Sequence, residues 1–190
     1  MLNQMLVFLL DTLLGLFSLA LLLRFLMQLL RAPYRNPLSP FLIALTDFLV
    51  RPARRIIPSF QGMDLATLLL AWLTQLLLLT GVQTLRGYDF SSSIGIALGG
   101  LALLAAVEIV KMALYIIMVA VILQALLSWI NPFSPMAPVL DSFTRPFLRG
   151  IRARIPPIGN VDLSPLFVLI IIQLLLFVVT GMEREISRLF

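Results

Sequence analysis

Four stretches of this chain are apolar for longer than any buried strand or surface helix requires. They run from Met5 to Leu30, Leu65 to Thr84, Ile94 to Ile130 and Leu163 to Thr180. About 20 helical residues cover a hydrocarbon core of about 30 Å, so each stretch predicts a transmembrane helix. Between them the pattern changes to helical amphipathicity. After Ser39-Pro40, apolar Phe41, Leu42, Leu45, Phe48 and Leu49 share one face, with Asp47 and Arg51 opposite. After Ser134-Pro135, Val139, Leu140, Phe143, Phe147 and Leu148 do the same, opposite Asp141, Arg145, Arg149 and Arg152. A basic face behind an apolar one predicts a helix lying in the membrane interface. Pro52 and Pro146 are expected to break or kink these helices at matching positions. Asn36 and Asn131 are the expected caps of the interfacial helices, and Asp64 and Asp162 those of spans two and four.

Ile94 to Ile130 is the ambiguous stretch. Its first part, to Val107, is short for a full crossing, whereas the 19 residues from Met112 to Ile130 suffice. Charge decides between one crossing and two. Arg31, Arg35, Arg51, Arg54 and Arg55 cluster in one connecting segment, and Arg145, Arg149, Arg152 and Arg154 in another. The positive-inside rule places both on the cytoplasmic side, which requires an even number of crossings between them. The expected topology is therefore four spans with both termini outside, residues 94–111 forming an extension or a broken, partly buried piece of the third helix. Gly95, Gly99, Ala102 and Ala106 share a face of that extension and predict close packing within the monomer, with a dimer contact as the alternative.

Composition narrows the chemistry. Hydrophobic residues make up 61% and charged residues 12%, far from a soluble domain with about 25% charged. There is no cysteine and no histidine, which excludes disulfides, thiolate metal sites and the commonest general base. No motif assembles a nucleophile, a base and an orienting group, so no enzyme and no cofactor is expected. The first residues, Met1-Leu2-Asn3-Gln4, lack the basic region of a signal peptide, so the first helix is expected to be retained.

The chain is also a duplication. Asn36-Pro37-Leu38-Ser39-Pro40 returns as Asn131-Pro132-Phe133-Ser134-Pro135, and Ile57-Pro58 with Asp64-Leu65 returns as Ile155-Pro156 with Asp162-Leu163. Eleven residues past each Asp stands a glutamine, Gln75 and Gln173, and Thr80-Gly81 and Thr180-Gly181 are expected to close the runs. The first repeat covers residues 1–84, a connector 85–111, and the second repeat 112–190. Repeats of one orientation predict a pseudo-two-fold axis along the membrane normal, with Gln75 and Gln173 facing each other across it near the midplane. The fold class is thus all-α and membrane-integral, built of two parallel repeats of span, interfacial helix, span.

These residues resemble the YggT family of small bacterial and plastid membrane proteins. The second copy carries the fuller pattern: Ser128-Trp129, Asn131-Pro132, Arg145-Pro146, Ile155-Pro156 and Asp162-Leu163-Ser164-Pro165. The first has Arg24, Asn36-Pro37, Arg51-Pro52, Arg54-Arg55, Ile57-Pro58 and Asp64-Leu65. It departs with Ala66-Thr67 where Ser-Pro is expected, and its Arg24 aligns with Gln124. The resemblance implies an inner-membrane protein without established enzymatic activity. It also implies links to osmotic stress tolerance, ion homeostasis, division or nucleoid organisation and, in plastids, haem attachment to a cytochrome.

Two function classes follow. One is a non-enzymatic membrane organiser or assembly factor. Arg51, Arg54, Arg55, Arg145, Arg149, Arg152 and Arg154 are its candidates for anionic lipid headgroups, with membrane proteins or a second copy as further partners. Short, proline-rich basic loops argue against nucleic acid. The other is a small channel or transporter component, for which Gln75, Gln173, Arg24, Glu108 and Lys111 are the intramembrane polar candidates. The milder expectation is that the glutamines join helices, Arg24 snorkels to the interface, and Glu108 pairs with Lys111 three residues on.

Overall fold

The computed structural model describes residues 1–33, 35–88, 94–131, 133–154 and 162–188, and the side chains of all of these except 94, 96 and 129. The Ile-Pro pair at 155–156 and the proline at 132 lie outside the described residues. Six helices follow in order: α1 (Leu2–Leu29), α2 (Leu38–Ile56), α3 (Leu65–Leu85), α4 (Ile94–Ile130), α5 (Ala137–Arg152) and α6 (Ser164–Ser187). Four of them, α1, α3, α4 and α6, are long and apolar enough to cross a membrane. The third stretch is one unbroken helix of 37 residues, so residues 94–111 do extend it.

Each repeat is built alike. α1 packs antiparallel on α3 with α2 laid against both, and α4 packs on α6 with α5 against both. Ser18 Oγ donates to the Ala71 carbonyl (3.3 Å) and Asn3 Nδ2 to that of Leu85 (3.2 Å). Ile117 and Val121 meet Val168 and Ile172 in the second pair. Gly81 lies inside α3, where an added Cβ would come within 3.3 Å of Leu10 Cδ1. The Thr-Gly pairs therefore close neither run. α3 continues to Leu85 and α6 to Ser187, because glycine in an apolar helix permits close approach at a penalty of only about 1 kcal/mol.

The repeats join asymmetrically. α3 packs on α4, and Trp72 Nε1 donates to the Ala102 carbonyl (3.0 Å). The two-fold counterpart, α6 on α1, makes no contact among the described residues. The contacts therefore do not follow the expected two-fold axis: α1 also meets α4 and α5, whereas α6 does not pack on a helix of the first repeat among the described residues. The small-residue face of α4 also departs from expectation. Nothing packs on Gly95 or Gly99, and α4 instead buries Ala97, Leu101, Leu104 and Ala105.

Both interfacial helices are amphipathic, but part of the apolar face of α2 and most of that of α5 are used within the protein. Leu42, Thr46 and Val50 are buried, while Phe41, Leu45 and Phe48 stay exposed along the edge of α2. In α5, Val139, Leu140, Phe143 and Leu148 are buried and Phe147 is exposed. Pro52 and Pro146 lie inside these helices and end neither. They are not at matching positions: Arg145-Pro146 follows Arg51-Pro52 by 94 residues, one turn short of the 98 that separate Thr46 from Thr144.

A candidate anion-binding site between the spans and the interfacial helices

One buried threonine anchors each interfacial helix. Thr46 and Thr144 are both fully buried, each also donating to the carbonyl four residues back. In the first repeat Arg24 reaches from α1, bonding Thr46 Oγ1 through Nη1 (2.7 Å) and Asp47 Oδ1 through Nη2 (3.0 Å). Arg51 Nε closes on the other Asp47 oxygen (2.7 Å). In the second repeat Gln124 Oε1 accepts from Thr144 Oγ1, and Asp141 pairs with Arg145 at the surface. Arg24 thus reaches toward the interfacial helix, where its side chain is 12% exposed and held at both terminal nitrogens.

The caps repeat the theme at the other end of the interfacial helices. Asp64 accepts from the Thr67 amide (3.3 Å) and hydroxyl, and from Arg54 Nε (3.0 Å). Asp162 accepts from the Ser164 amide (2.9 Å) and hydroxyl, and from Arg152 Nε (2.8 Å). The Thr67 hydroxyl supplies in repeat one what Ser164 supplies in repeat two, which is why Ala66-Thr67 can replace Ser-Pro there. Burial alone would raise both carboxyls. The hydrogen bonds and the facing arginine outweigh it and hold both below the ordinary aspartate value. Asn36 caps α2, its Oδ1 accepting from the amides of Leu38 and Ser39 (both 2.9 Å). Asn131 does not cap α5. That helix starts at Ala137 behind Met136, because turns bonded through Ser134 and Met136 separate it from Asn131.

A cavity of about 520 Å³ opens between α1 and α2. It is lined by Arg24, Arg31 and Arg54, by Gln28 and Ser39, and by an apolar wall that includes Met27, Leu42 and Ile43. Among the described residues no carboxylate lines it, although Asp47 pairs with Arg24 and Asp64 with Arg54. Arg54 Nη2 also donates to Gln28 Oε1 (3.3 Å). The remaining basic candidates, Arg51, Arg55, Arg145, Arg149, Arg152 and Arg154, are exposed along α2, α5 and the turn after α5.

The intramembrane candidates fall apart into separate places. Gln75 is buried on α3, 6% exposed, and its Oε1 accepts no hydrogen bond. Gln173 is exposed on α6, and α3 and α6 do not touch among the described residues, so the glutamines do not face each other. The reason is the asymmetric joining of the repeats: α3 is covered by α1, α2 and α4, α6 only by α4 and α5 among the described residues. Glu108 does pair with Lys111 (2.6 Å), and Glu183 of α6 joins on the other side (2.6 Å). Sequence reasoning missed Glu183 because it lies past the Thr-Gly pair. It missed Thr46 and Thr144 although the 98-residue repeat marks them.

Comparison with known proteins agrees with this architecture. The CCB3/YggT family pattern matches residues 3–85 and 103–182. An uncharacterised protein of Pseudomonas aeruginosa is 36% identical over 98% of this chain and 97% of its own length. The uncharacterised protein YggT of Escherichia coli K12 is 34% identical over 96% and 91%, and a Vibrio alginolyticus protein 35% identical over 87% and 88%. No solved structure matches. The two matched segments cover the two helical repeats, and the chain belongs to the CCB3/YggT family.

Proposed function

We propose that this protein is a non-enzymatic organiser of the bacterial inner membrane, holding anionic lipids and partner proteins against two interfacial helices on its cytoplasmic side. The observation that carries this reading is the pairing of exposed arginines with exposed aromatics on both α2 and α5, helices whose first turns share one crevice through Leu38, Met136 and Val139. Phe41, Phe48 and Phe147 supply apolar depth, and each arginine beside an anionic leaflet adds about 1 kcal/mol. A role in osmotic stress tolerance would follow from such lipid organisation. The test is reconstitution in mixed bilayers with a fluorescent anionic lipid. Replacing Arg145, Arg149, Arg152 and Arg154 by Gln should reduce lipid enrichment around the protein; undiminished enrichment refutes the reading.

A second reading, a small channel or transporter component, is favoured by the Glu108–Lys111–Glu183 cluster, two carboxylates around one ammonium in apolar helices. Ion flux in proteoliposomes under a potassium gradient, lost on Lys111→Met, would support it. Folded protein without flux would remove it.

A further inference from the structure

We propose that the cavity between α1 and α2 is a dedicated site for one phosphate group, phosphomonoester or phosphodiester, that the second repeat does not duplicate. Among the described residues three guanidinium groups line it and no carboxylate does. Arg24 and Arg54 are held in place from behind by Asp47 and Asp64, so their orientation is set before any ligand arrives. The bonds to Asp64, Thr46 and Asp47 use Nε and Nη2 of Arg54 and Nη1 and Nη2 of Arg24, leaving Nη1 of Arg54 and Nε of Arg24 as donors for phosphate oxygens. Gln28 and Ser39 add neutral polar groups, and Met27, Leu42 and Ile43 form a wall that suits the apolar part of an amphiphile. The volume lies in the range of small-molecule sites.

Arg31 is the telling residue. It follows α1 with φ at +53°, the left-handed region where glycine is normal at a helix end. Its amide bonds the Gln28 carbonyl (3.1 Å), and the next amide bonds that of Met27 (2.8 Å), so the terminus is a regular one that glycine would fill without strain. An arginine held there places a third positive charge on the cavity, against local backbone preference. The corresponding positions in the second repeat differ. Gln124 stands for Arg24, and no arginine lies between Lys111 and Arg145 to stand for Arg31, leaving only Arg152 to match Arg54.

This inference deepens the lipid reading and rests on it only for the ligand's source. A lipid headgroup and a free phosphate offer the same chemistry, and the experiment separates them. Full-length protein in detergent is titrated with phosphatidylglycerol and, separately, with inorganic phosphate, and bound ligand is counted by native mass spectrometry. The decisive variant is Arg31→Gly, which removes a guanidinium while relaxing the backbone, so it should fold at least as well as the parent. One saturable phosphatidylglycerol, weakened about tenfold in Arg31→Gly and within about twofold of the parent in Arg86→Gln, at the far end of α3, supports the site with lipid as its source. Saturable phosphate binding that displaces the lipid and is weakened by Arg31→Gly supports it with a free anion as the source. Equal binding by parent and Arg31→Gly, or equal weakening by Arg86→Gln, overturns the site. Equal weakening would still leave the general attraction of α2 and α5 for anionic lipid intact. Arg31→Lys, which keeps the charge but loses the fork, should fall between.

Discussion

In the first repeat the span grips its interfacial helix with an arginine shared between Thr46 and Asp47; in the second, Gln124 grips the equivalent Thr144 without any charge. The caps differ in the same direction. Asp64 is 3% exposed and Asp162 37%. Two copies of one helical plan have therefore kept the geometry and divided the electrostatics. At the interfacial helices the first repeat encloses Asp47 with Arg24 and Asp64 with Arg54, where each partner depends on the other, and the second leaves Asp141–Arg145 and Asp162–Arg152 in contact with water, where they add little. The difference teaches that a duplicated scaffold conserves the bonding position, Thr46 and Thr144, more strictly than the chemistry that fills it.

The largest expected effect lies at the caps. Asp64→Ala removes a cap and the partner of Arg54 and leaves the Thr67 hydroxyl without its acceptor. It should cost about 3 kcal/mol in denaturant unfolding of the detergent-solubilised protein. Asp162→Ala should cost about 1 kcal/mol, since solvent replaces much of what is lost. Equal losses would break the distinction between an enclosed and an open repeat.

Next comes the grip itself. Arg24→Met leaves Asp47 with Arg51 alone and should cost about 2 kcal/mol, against about 1 kcal/mol for Gln124→Met. Arg24→Gln, which copies the second repeat into the first, should recover part of the Arg24→Met loss in the same melts. If it recovers nothing, the charge rather than the hydrogen bond holds α2.

Acid titration sharpens the contrast further. Both carboxyls are held below their ordinary value in the folded state, so each stabilises the protein fully above about pH 4. That contribution is lost as pH falls through the folded value. Asp64→Asn should therefore flatten the acid side of the stability curve more than Asp162→Asn, as followed by tryptophan fluorescence.

The smallest effects are at the glutamines. Gln75→Leu removes a buried carbonyl that accepts nothing and should be neutral or stabilising by up to about 1 kcal/mol. Gln173→Leu, on an outward face, should stay within about 0.5 kcal/mol. A large loss from Gln173→Leu would reveal a partner that covers α6.

Much of this was legible before any coordinates. Apolar run length and the arginine clusters give four spans and two interfacial helices, because those patterns answer to bilayer thickness and local periodicity. Asn36, Asp64 and Asp162 could be named as caps for the same reason: capping is settled within a few residues. What failed depends on distant packing. Asn131 is cut off from α5 by intervening turns, and Gln75 and Gln173 are separated by how the repeats dock. The partnerships Arg24–Thr46, Arg54–Asp64 and Lys111–Glu183 required knowing which helix lies against which. Only the repeat register hinted at them, by placing Arg54 and Asp64 each 98 residues before Arg152 and Asp162.

The length of α4 has a mechanical consequence. At 37 residues it extends about 55 Å, and even tilted by about 40° it rises about 42 Å, well beyond a 30 Å slab. It is also the element that touches α1, α3, α5 and α6 together. A bilayer that thins or thickens therefore acts on this rod first, changing how much of its apolar surface meets water. Because both repeats lean on it, that mismatch is felt by both interfacial helices at once, and acyl-chain length becomes a variable that sets the stability of the whole molecule.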